Sequence, residues 1–461
     1  MIYEFLLRRN FYNSEDQVQK ALIKTLDSMM NGGIYDQLRG GFHRYSTDTF
    51  WLIPHFEKML YDNALLAKLY LHAYQTFQKP EYSVVAMEIL DYVREEMLLK
   101  NGGVCSSQDA DSNLGEGIYF AWKPDEIDSI LGNTNGDLIK KYFGVTHEGN
   151  FEGHSILSIT TKTEDFIKKE SLDKQFFESL LVDAKEKMLA VRSNRDAPGT
   201  DDKVLCSWNS LMISAMAKTG RVLEDAERIE KAAKAMKFLL DQLRTVDGKM
   251  LRRYRDGEAR YDGYLFDYSA TAVACLELYE TTYDAYYIQA ARELMQLVVK
   301  NFSSESGAFY ETAIDAEKLL VRQTSGYDGV EPSGNSNAAL AFLKLSAYLI
   351  DPELTKKAEN IFLSFSDELM EYGLNSAFML QALHLYLGGL KEVAIIGKKN
   401  DSATKSFLNT IRKGFFPNSV FAFSYDDEIE KNAKIIPSVS YTHLRAHETR
   451  HDLVCRLLLE K

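Results

Sequence analysis

The fold of this chain is decided by residues 31–67, which read NGGIYDQLRGGFHRYSTDTFWLIPHFEKMLYDNALLA. The first part of this segment is rich in glycine, histidine, acidic and aromatic residues, and the last part becomes apolar after Asn63. A long loop with so many reactive side chains is more often a binding or catalytic loop than a connector. We expect it to lie between two helices, one ending near Met30 and one starting near Asp62.

The end of this segment, YDNAL at residues 61–65, has four counterparts further along the chain. Each starts with small or polar residues and then becomes apolar on nearly all sides: SWNSL at 207–211, DYSAT at 267–271, SGNSN at 333–337 and LNSAF at 374–378. Amphipathic helices with Lys and Glu on one side follow three of them: 226–243, 283–300 and 354–370. Alternation of buried and amphipathic helices predicts an all-α fold, a closed (α/α) barrel whose inner helices start together at one mouth.

Two further segments complete the predicted architecture. The long spacing between Asn63 and Asn209 predicts another barrel hairpin between them, with helices at 124–131 and 165–189. After Gly388 the pattern changes to strand, helix and strand, which predicts a small C-terminal α/β appendage over residues 389–437.

Composition narrows the class of function. The 461 residues carry a net charge of −13, which disfavours binding to nucleic acid or to anionic membranes. The four cysteines are far apart and form no zinc-type pair, which favours a reducing, cytoplasmic location. No secretory signal pattern or membrane-spanning apolar run occurs, and no dinucleotide or nucleotide-binding motif is present, so we expect no cofactor.

The end of the chain differs from the rest. From Ser440 it reads SYTHLRAHETRHDLVCRLLLEK, which resembles a translated sequencing-adapter read. His443, His447 and His451 have helical metal-ligand spacing, but we reject a metal site because a foreign end is excluded from fold reasoning. We therefore expect residues 438–461 to be a foreign tail and the chain to hold no metal.

The candidate catalytic residues are imidazoles and carboxylates on loops at the predicted mouth: His43, His55, Glu57, Asp109, Asp111 and Glu331. An imidazole can exchange protons at neutral pH, and neighbouring carboxylates can divide into an acid and a base. Purely structural roles stay open as alternatives. His55 could bond a loop carbonyl, Glu57 could lie at a helix start, and Asp109 and Asp111 could form turns. A calcium loop at Asp109 is disfavoured because the required Gly and Glu positions do not match.

The candidate substrate-binding residues are aromatic, acidic and amide side chains on the same loops and helix starts: Tyr45, Trp51, Asp62, Asn63, Glu116, Trp208, Asn209, Tyr327, Asp328 and Asn335. Aromatic side chains beside carboxylates fit a sugar, with Trp208 as a stacking surface. Trp208 could also be a core residue, and Asn335 could cap a helix.

Five motifs together carry a family resemblance: residues 32–67, SSQDADSNLGEGIYFAW, GNFEGHSIL, DDKVLCSWNSLMISAMAK and GYDGVEPSGNSNAAL. They resemble the spermatogenesis-associated, thioredoxin-domain-containing protein family of the bacterial YyaL type, and the match runs from about Met1 to Pro437. The resemblance implies a thioredoxin-like domain followed by an (α/α)6 toroid of the six-hairpin glycosidase type. It also implies that residues 1–388 are a barrel lacking its first helix, and that this chain is a fragment without the thioredoxin-like domain.

The resemblance further implies carbohydrate metabolism with a small-molecule sugar or glycan as partner. One hypothesis is an enzyme similar to N-acylglucosamine 2-epimerases or to glycoside hydrolases, with acid–base chemistry in the barrel mouth. The alternative is a noncatalytic barrel that binds a glycan or a protein partner and is normally fused to a thioredoxin-like domain. The oligomeric state stays open.

Overall fold

The computed structural model describes residues 1–113 and 115–440. The α-helices in these residues are α1 (Ile2–Tyr12), α2 (Asp16–Asn31), α3 (Leu60–Phe77), α4 (Pro80–Tyr92), α5 (Pro124–Leu131), α6 (Asn133–Phe143), α7 (Thr163–Lys169), α8 (Lys174–Arg192), α9 (Cys206–Leu223), α10 (Ala226–Gln242), α11 (Leu265–Thr282), α12 (Ala285–Phe302), α13 (Gly334–Leu349), α14 (Pro352–Ser364), α15 (Ser366–Tyr372), α16 (Ala377–Leu387), α17 (Ser402–Lys413) and α18 (Ile429–Asn432). The strands are β1 (Tyr45–Ser46), β2 (Pro54–His55), β3 (Lys58–Met59), β4 (Ser107–Gln108), β5 (Asp111–Ser112), β6 (Gly115–Glu116), β7 (Thr200–Asp201), β8 (Val204–Leu205), β9 (Leu251–Arg255), β10 (Glu258–Asp262), β11 (Lys391–Gly397) and β12 (Ser419–Tyr425).

Helices α1, α3, α9, α11, α13 and α16 form the inner ring of a toroid. Each contacts the next in this order, and α16 contacts α1, so the ring is closed. Helices α2, α4, α10, α12 and α14 pack outside, each against the inner helix that precedes it. The predicted (α/α)6 toroid is confirmed.

The two layers follow from their sequences. All residues of α11 from Leu265 to Thr281 are buried, whereas α10 buries only one face. Inner helices α9, α11 and α13 each end on a residue in the left-handed conformation, and the next residue is an Asp whose side chain caps the outer helix: Asp225, Asp284 and Asp351. These turns of two residues hold each outer helix antiparallel to its inner partner.

Two expectations about the ring are corrected. Among the described residues, the ring has no further hairpin between the helix of Asn63 and the helix of Asn209, because α3 and α9 contact each other directly. Helices α5 to α8 instead pack around a second apolar cluster that includes Trp122, Phe143 and Phe177. The barrel helix expected to be missing has a counterpart in α1, which lies between α3 and α16.

A repeated asparagine explains the recurring pattern at the inner-helix starts. Asn209 accepts a hydrogen bond from the backbone N–H of Val104 (2.8 Å) and donates to the Val104 carbonyl (2.9 Å). Asn63 binds Phe42 in the same way, and Asn335 binds Phe309. Each amide thus pairs both backbone groups of a residue that follows a glycine-containing turn, and so fixes the preceding loop to the inner helix.

We expect Asn209→Ala to lower the free energy of unfolding by about 2–3 kcal/mol, because it leaves the buried N–H and C=O of Val104 unpaired. Urea unfolding measures the change. Asn194→Ala is the matched control, since that side chain is exposed and, within residues 1–113 and 115–440, bonds only the carbonyl of Ala190. Equal urea midpoints for the two variants would contradict the assignment.

The predicted C-terminal strand, helix and strand are present as β11, α17 and β12, and the two strands pair in parallel. This α/β unit lies against the C-terminal ends of the inner helices. Gln75 of α3 donates to the carbonyls of Lys413 and Gly414, and the Tyr279 hydroxyl of α11 accepts from the N–H of Phe423. The unit therefore covers the end of the ring opposite the mouth. The tail histidines lie outside the described residues.

Candidate functional site at the mouth of the ring

Short strands tie the loops of the mouth together. Strands β3, β4 and β7 form one sheet from three different loops, and β8, β9 and β10 form another. Two small antiparallel pairs, β1 with β2 and β5 with β6, complete the rim. These pairings bring segments before α3, α9 and α11 to one end of the ring, as the barrel prediction requires.

At the centre of the mouth, Trp208 joins side chains from three inner-helix starts. Its indole N–H donates to Oε2 of Glu331, and its ring meets the ring of Tyr61 edge-to-face at 4.7 Å between centroids. Burial raises the pKa of Glu331, although the indole bond favours its charged form. Burial likewise raises the pKa of Tyr61 to about 12. Glu331 is thus a half-buried carboxyl group held in place by an aromatic pair.

Asp62 lies next to this aromatic pair, in the first turn of α3. Burial raises its pKa to about 7, with Arg44 opposing the shift and Glu57 adding to it. Its Oδ2 atom is buried and has no hydrogen-bond partner among the described residues. Arg44 lies within electrostatic reach of Asp62 and Tyr61 and forms an ion pair with Glu57 at 2.9 Å. Asp62 can therefore hold or release a proton near neutral pH.

The rim beside Arg44 carries the imidazole that the sequence singled out. His55 places Nε2 at 3.2 Å from Glu57 and Nδ1 at 2.9 Å from Glu116. The ring of Tyr45 stacks on His55 at 5.1 Å. Contacts thus run from Glu331 through Trp208, Tyr61, Arg44 and Glu57 to His55 and Glu116. Seven of the sequence-predicted residues lie along or beside this line: Tyr45, His55, Glu57, Asp62, Glu116, Trp208 and Glu331.

A second group lies on the far side of Glu331. Arg252 binds the buried carboxylate of Asp267 at 3.3 Å and sits over the ring of Tyr264 at 4.6 Å. Asp267 also accepts from the backbone N–H groups of Ser207 and Tyr264, so it connects the starts of α9 and α11. Burial raises the pKa of Glu311, which Arg252 opposes. The mouth therefore contains a partly exposed arginine within electrostatic reach of three carboxyl groups, those of Asp267, Glu311 and Glu331.

His43 does not belong to this site. It is buried in the core, its Nδ1 lies 2.9 Å from the carbonyl oxygen of Phe56, and its ring contacts Phe120. Burial and the nearby Lys58 ammonium lower its pKa to about 3. A histidine in this environment stays neutral and cannot alternate as acid and base, so we remove it from the candidate site.

Four predicted binding residues are structural. Asn63, Asn209 and Asn335 use their amides on backbone groups, as described above. Asp328 accepts from the N–H groups of Ser333, Phe378 and Met379, and so caps the start of α16. The polar atoms of these four side chains are already hydrogen-bonded to backbone groups, so we remove the four residues from the candidate substrate-binding set.

The remaining predicted residues lie apart from the central contacts. Asp109 is exposed and accepts from the N–H of Ala110, as its turn-forming interpretation requires. Asp111 is exposed on β5, opposite Glu116 on β6. Trp51 packs against the main apolar core, and Tyr327 is 64% exposed. We keep Asp111 as a rim residue and remove the other three.

Sequence reasoning missed Arg44, Tyr61, Arg252, Asp267 and Glu311. Tyr61 and Asp267 each lie within an aligned inner-helix start, so the repeat itself was an available signal. Arg252 lies on β9, and because basic residues are common on short polar strands, the local sequence gives no sign of a functional role. Its role depends on the burial of Asp267, which the sequence pattern does not reveal.

We expect Asp62→Asn to change how stability depends on pH. Because burial holds the pKa of Asp62 at about 7, above its usual value of 3.8, the folded state keeps a proton that the unfolded state has already lost. Stability therefore falls as pH rises from 4 to 8, by at least about 1 kcal/mol from this group. Urea unfolding should show that the free energy of unfolding of Asp62→Asn rises relative to that of the wild type as the pH goes from 4 to 8. The same pH dependence in both proteins would contradict the raised pKa of Asp62.

The chain resembles curated proteins along nearly its whole length. It is 30% identical over 475 residues to human spermatogenesis-associated protein 20, a match that covers 95% of this chain and 60% of the human protein. The mouse protein of the same name is 29% identical over 476 residues, with 95% and 60% covered. The chain thus spans about 60% of the length of these relatives. No family model matches it.

The solved structures that match this chain are more distant in sequence. A sugar epimerase from a ruminal bacterium superposes with a TM-score of 0.46 at 12% identity, covering 76% of this chain and 71% of that one. The unsaturated glucuronyl hydrolase of Bacillus sp. GL1 gives 0.40 at 13% identity, covering 81% and 73%. In the described ranges, no helix combines the length and apolar character needed to cross a bilayer, and no group of three or more ligating side chains could hold a metal ion.

Proposed function

We propose that the mouth of this toroid carries out acid–base chemistry on a sugar. The observation that supports this most is the placement of two carboxyl groups with raised pKa, Asp62 and Glu331, on either side of the Tyr61–Trp208 aromatic pair. Asp62 lies in the first turn of α3 and Glu331 on the loop before α13, so the ring brings together groups about 270 positions apart in sequence.

The two carboxyl groups would play different roles. Asp62 is protonated for part of the time at neutral pH, so it can donate a proton to a departing oxygen or to a carbanion. Arg44 would then stabilise the carboxylate that remains. Glu331 is held by the Trp208 indole, which favours its charged form, so it would act as the base. His55, between Glu57 and Glu116, could relay protons to solvent.

A sugar fits the other side chains of the mouth. The apolar face of a pyranose packs on aromatic rings, and Trp208, Tyr61 and Tyr45 all lie along the line of contacts. Hydroxyl groups need donors and acceptors together, which Arg44, Arg252 and the surrounding carboxylates supply. The helix N-termini at the mouth favour the same polar ligands.

A panel of free sugars and oligosaccharides in deuterated water tests the proposal. Deuterium uptake at carbon 2 would support epimerase-like or isomerase-like chemistry, and new reducing ends would support hydrolysis. Ligand quenching of tryptophan fluorescence locates binding, since the chain has three tryptophans. Trp208→Phe should abolish the quenching, whereas Trp51→Phe should keep it. Quenching that survives in Trp208→Phe but is lost in Trp51→Phe would contradict the placement of the sugar site at Trp208.

The alternative is a noncatalytic barrel that binds a glycan or a protein partner. Sugar binding that depends on Trp208, with neither deuterium uptake nor cleavage, would favour it over an enzyme. Fusion to a thioredoxin-like domain and a cytoplasmic location stay predictions; the first is tested by the sequence of the intact gene and the second by imaging of its product.

A further inference from the structure

A second polar cavity lies inside the ring, at the end opposite the mouth. It has a volume of about 90 Å³, several times what one water molecule requires. Side chains of α1, α3, α9, α11 and α13 line it, and Gly414 to Pro417 of the α/β unit lie over it. Charged groups in the interior of a protein are rarely left unpaired.

The cavity carries more positive than negative charge. Six Lys or Arg side chains and three Glu side chains line it, which leaves an excess of three positive charges. His72 adds none at neutral pH, because burial lowers its pKa to about 4. This excess favours the binding of an anion in the cavity, because uncompensated charge in the interior is unfavourable.

The ion pairs show which cations are unmatched. Glu277 is paired with Lys218 at 3.3 Å and with Lys344 at 3.4 Å. Glu280 is paired with Arg221 at 3.1 Å and with Lys344 at 2.9 Å. In the part of the chain that is described, Arg8, Lys68 and Arg412 form no ion pair. Arg412 lies over the ring of Tyr283 at 5.5 Å. Arg8 donates to the carbonyl of Pro417 at 2.6 Å, and its Nε atom is buried without a partner.

Acceptors in the same cavity are also unoccupied. Within the described residues, Oε2 of Glu4 and Oε2 of Glu277 are buried and have no hydrogen-bond partner. An anion that carried only acceptors would be repelled by these oxygens. An anion with its own O–H group could bond to one of them while its other oxygens faced Arg8 and Lys68.

We propose that this cavity binds inorganic phosphate, in preference to sulfate, with Arg8 and Lys68 as the principal cationic contacts. Hydrogen phosphate has both the negative charge that the excess cations require and the O–H donor that the free Glu oxygens require. Sulfate has the charge but lacks the donor at neutral pH. The small volume and the covering α/β unit favour the free ion over the phosphate group of a sugar phosphate.

Isothermal titration of the full chain with sodium phosphate, in phosphate-free buffer of constant ionic strength, tests this site. We expect saturable binding of phosphate, sulfate binding at least about tenfold weaker, and a thermal midpoint that rises with phosphate concentration. Equal responses to phosphate and sulfate would indicate a general salt effect and would overturn the proposal. Tighter binding of glucose 6-phosphate than of inorganic phosphate would overturn the choice of the free ion.

Variants separate binding from folding. Lys68→Met should fold without phosphate at least as well as the wild type, since it removes an unpaired buried cation, but should lose at least about tenfold in phosphate affinity. Lys187→Met, at an exposed surface ion pair, is the matched control and should bind phosphate normally. Glu4→Gln should narrow the preference for phosphate over sulfate. Undiminished phosphate binding by Lys68→Met would contradict the proposal.

Discussion

Replacing Asp36 by asparagine is expected to lower the free energy of unfolding by about 3–5 kcal/mol, which for a domain of ordinary stability is a large part of the total. Asp36 receives both terminal nitrogens of Arg192, at 2.8 and 2.9 Å, and the ammonium of Lys58 at 2.8 Å. All three side chains are at most 5% exposed. Removing the carboxylate charge leaves two buried cations without their counterion.

The pH dependence of this variant checks the cause. Arg192 and Lys58 hold the pKa of Asp36 well below its usual value, so its contribution is present above about pH 4 and is lost as pH falls further. The difference in the free energy of unfolding between the wild type and Asp36→Asn should therefore become smaller below about pH 4. Asp183→Asn, which breaks an exposed pair with Lys187 at 2.9 Å, is the matched control and should change stability by at most about 0.5 kcal/mol. A similarly small effect of Asp36→Asn would refute the assignment.

The other large effect is expected in catalysis. On a sugar that the wild type turns over, Asp62→Asn and Glu331→Gln should each lower kcat by about 10²–10⁴-fold, the range typical for loss of a general acid or base. Both variants keep the shape of the side chain, so binding measured by fluorescence should change little. Loss of binding as well as turnover would indicate a positioning role instead.

Asp109→Asn and Asp111→Asn provide the controls for these variants. Both side chains are exposed carboxylates near the mouth, outside the central contacts. We expect each to keep kcat within about threefold of the wild type, because surface substitutions away from reacting groups have small effects. If Asp111→Asn were as damaging as Asp62→Asn, the catalytic carboxyl group would lie on the rim rather than beside Tyr61.

The repeat of small polar residues before apolar helices was sufficient to predict the toroid, because it reflects one physical requirement. An inner helix is largely apolar on all sides, and the first turns of α3, α9 and α13 bind the preceding loop through Asn63, Asn209 and Asn335. Helix α1 was not predicted because it lacks the small polar start of the other inner helices and carries Glu4, Arg8 and Arg9 within 11 residues. Two of these charges face the interior cavity, an environment that periodicity does not predict.

The candidate site was predicted less well, for a related reason. Residues 31–67 are dense in reactive side chains, but much of that density serves the core: His43 binds a carbonyl, and Asp36 binds a cation 156 positions away. Which side chain faces the mouth and which faces the core depends on partners distant in sequence. The aromatic and acidic residues nearest the inner-helix starts, Tyr61, Asp62 and Trp208, were the ones whose placement the repeat could indicate.

The junction between α16 and α1 differs from every other junction in the ring. Gln381 of α16 donates to the carbonyl of Met1 at 3.3 Å, across 380 positions of chain. Neighbouring hairpins elsewhere meet after far shorter separations, and contacts between distant segments carry the larger loop-closure entropy. We therefore expect the hairpins to pack one after another into an open arc during folding, and the contact between α16 and α1 that closes the ring to form last.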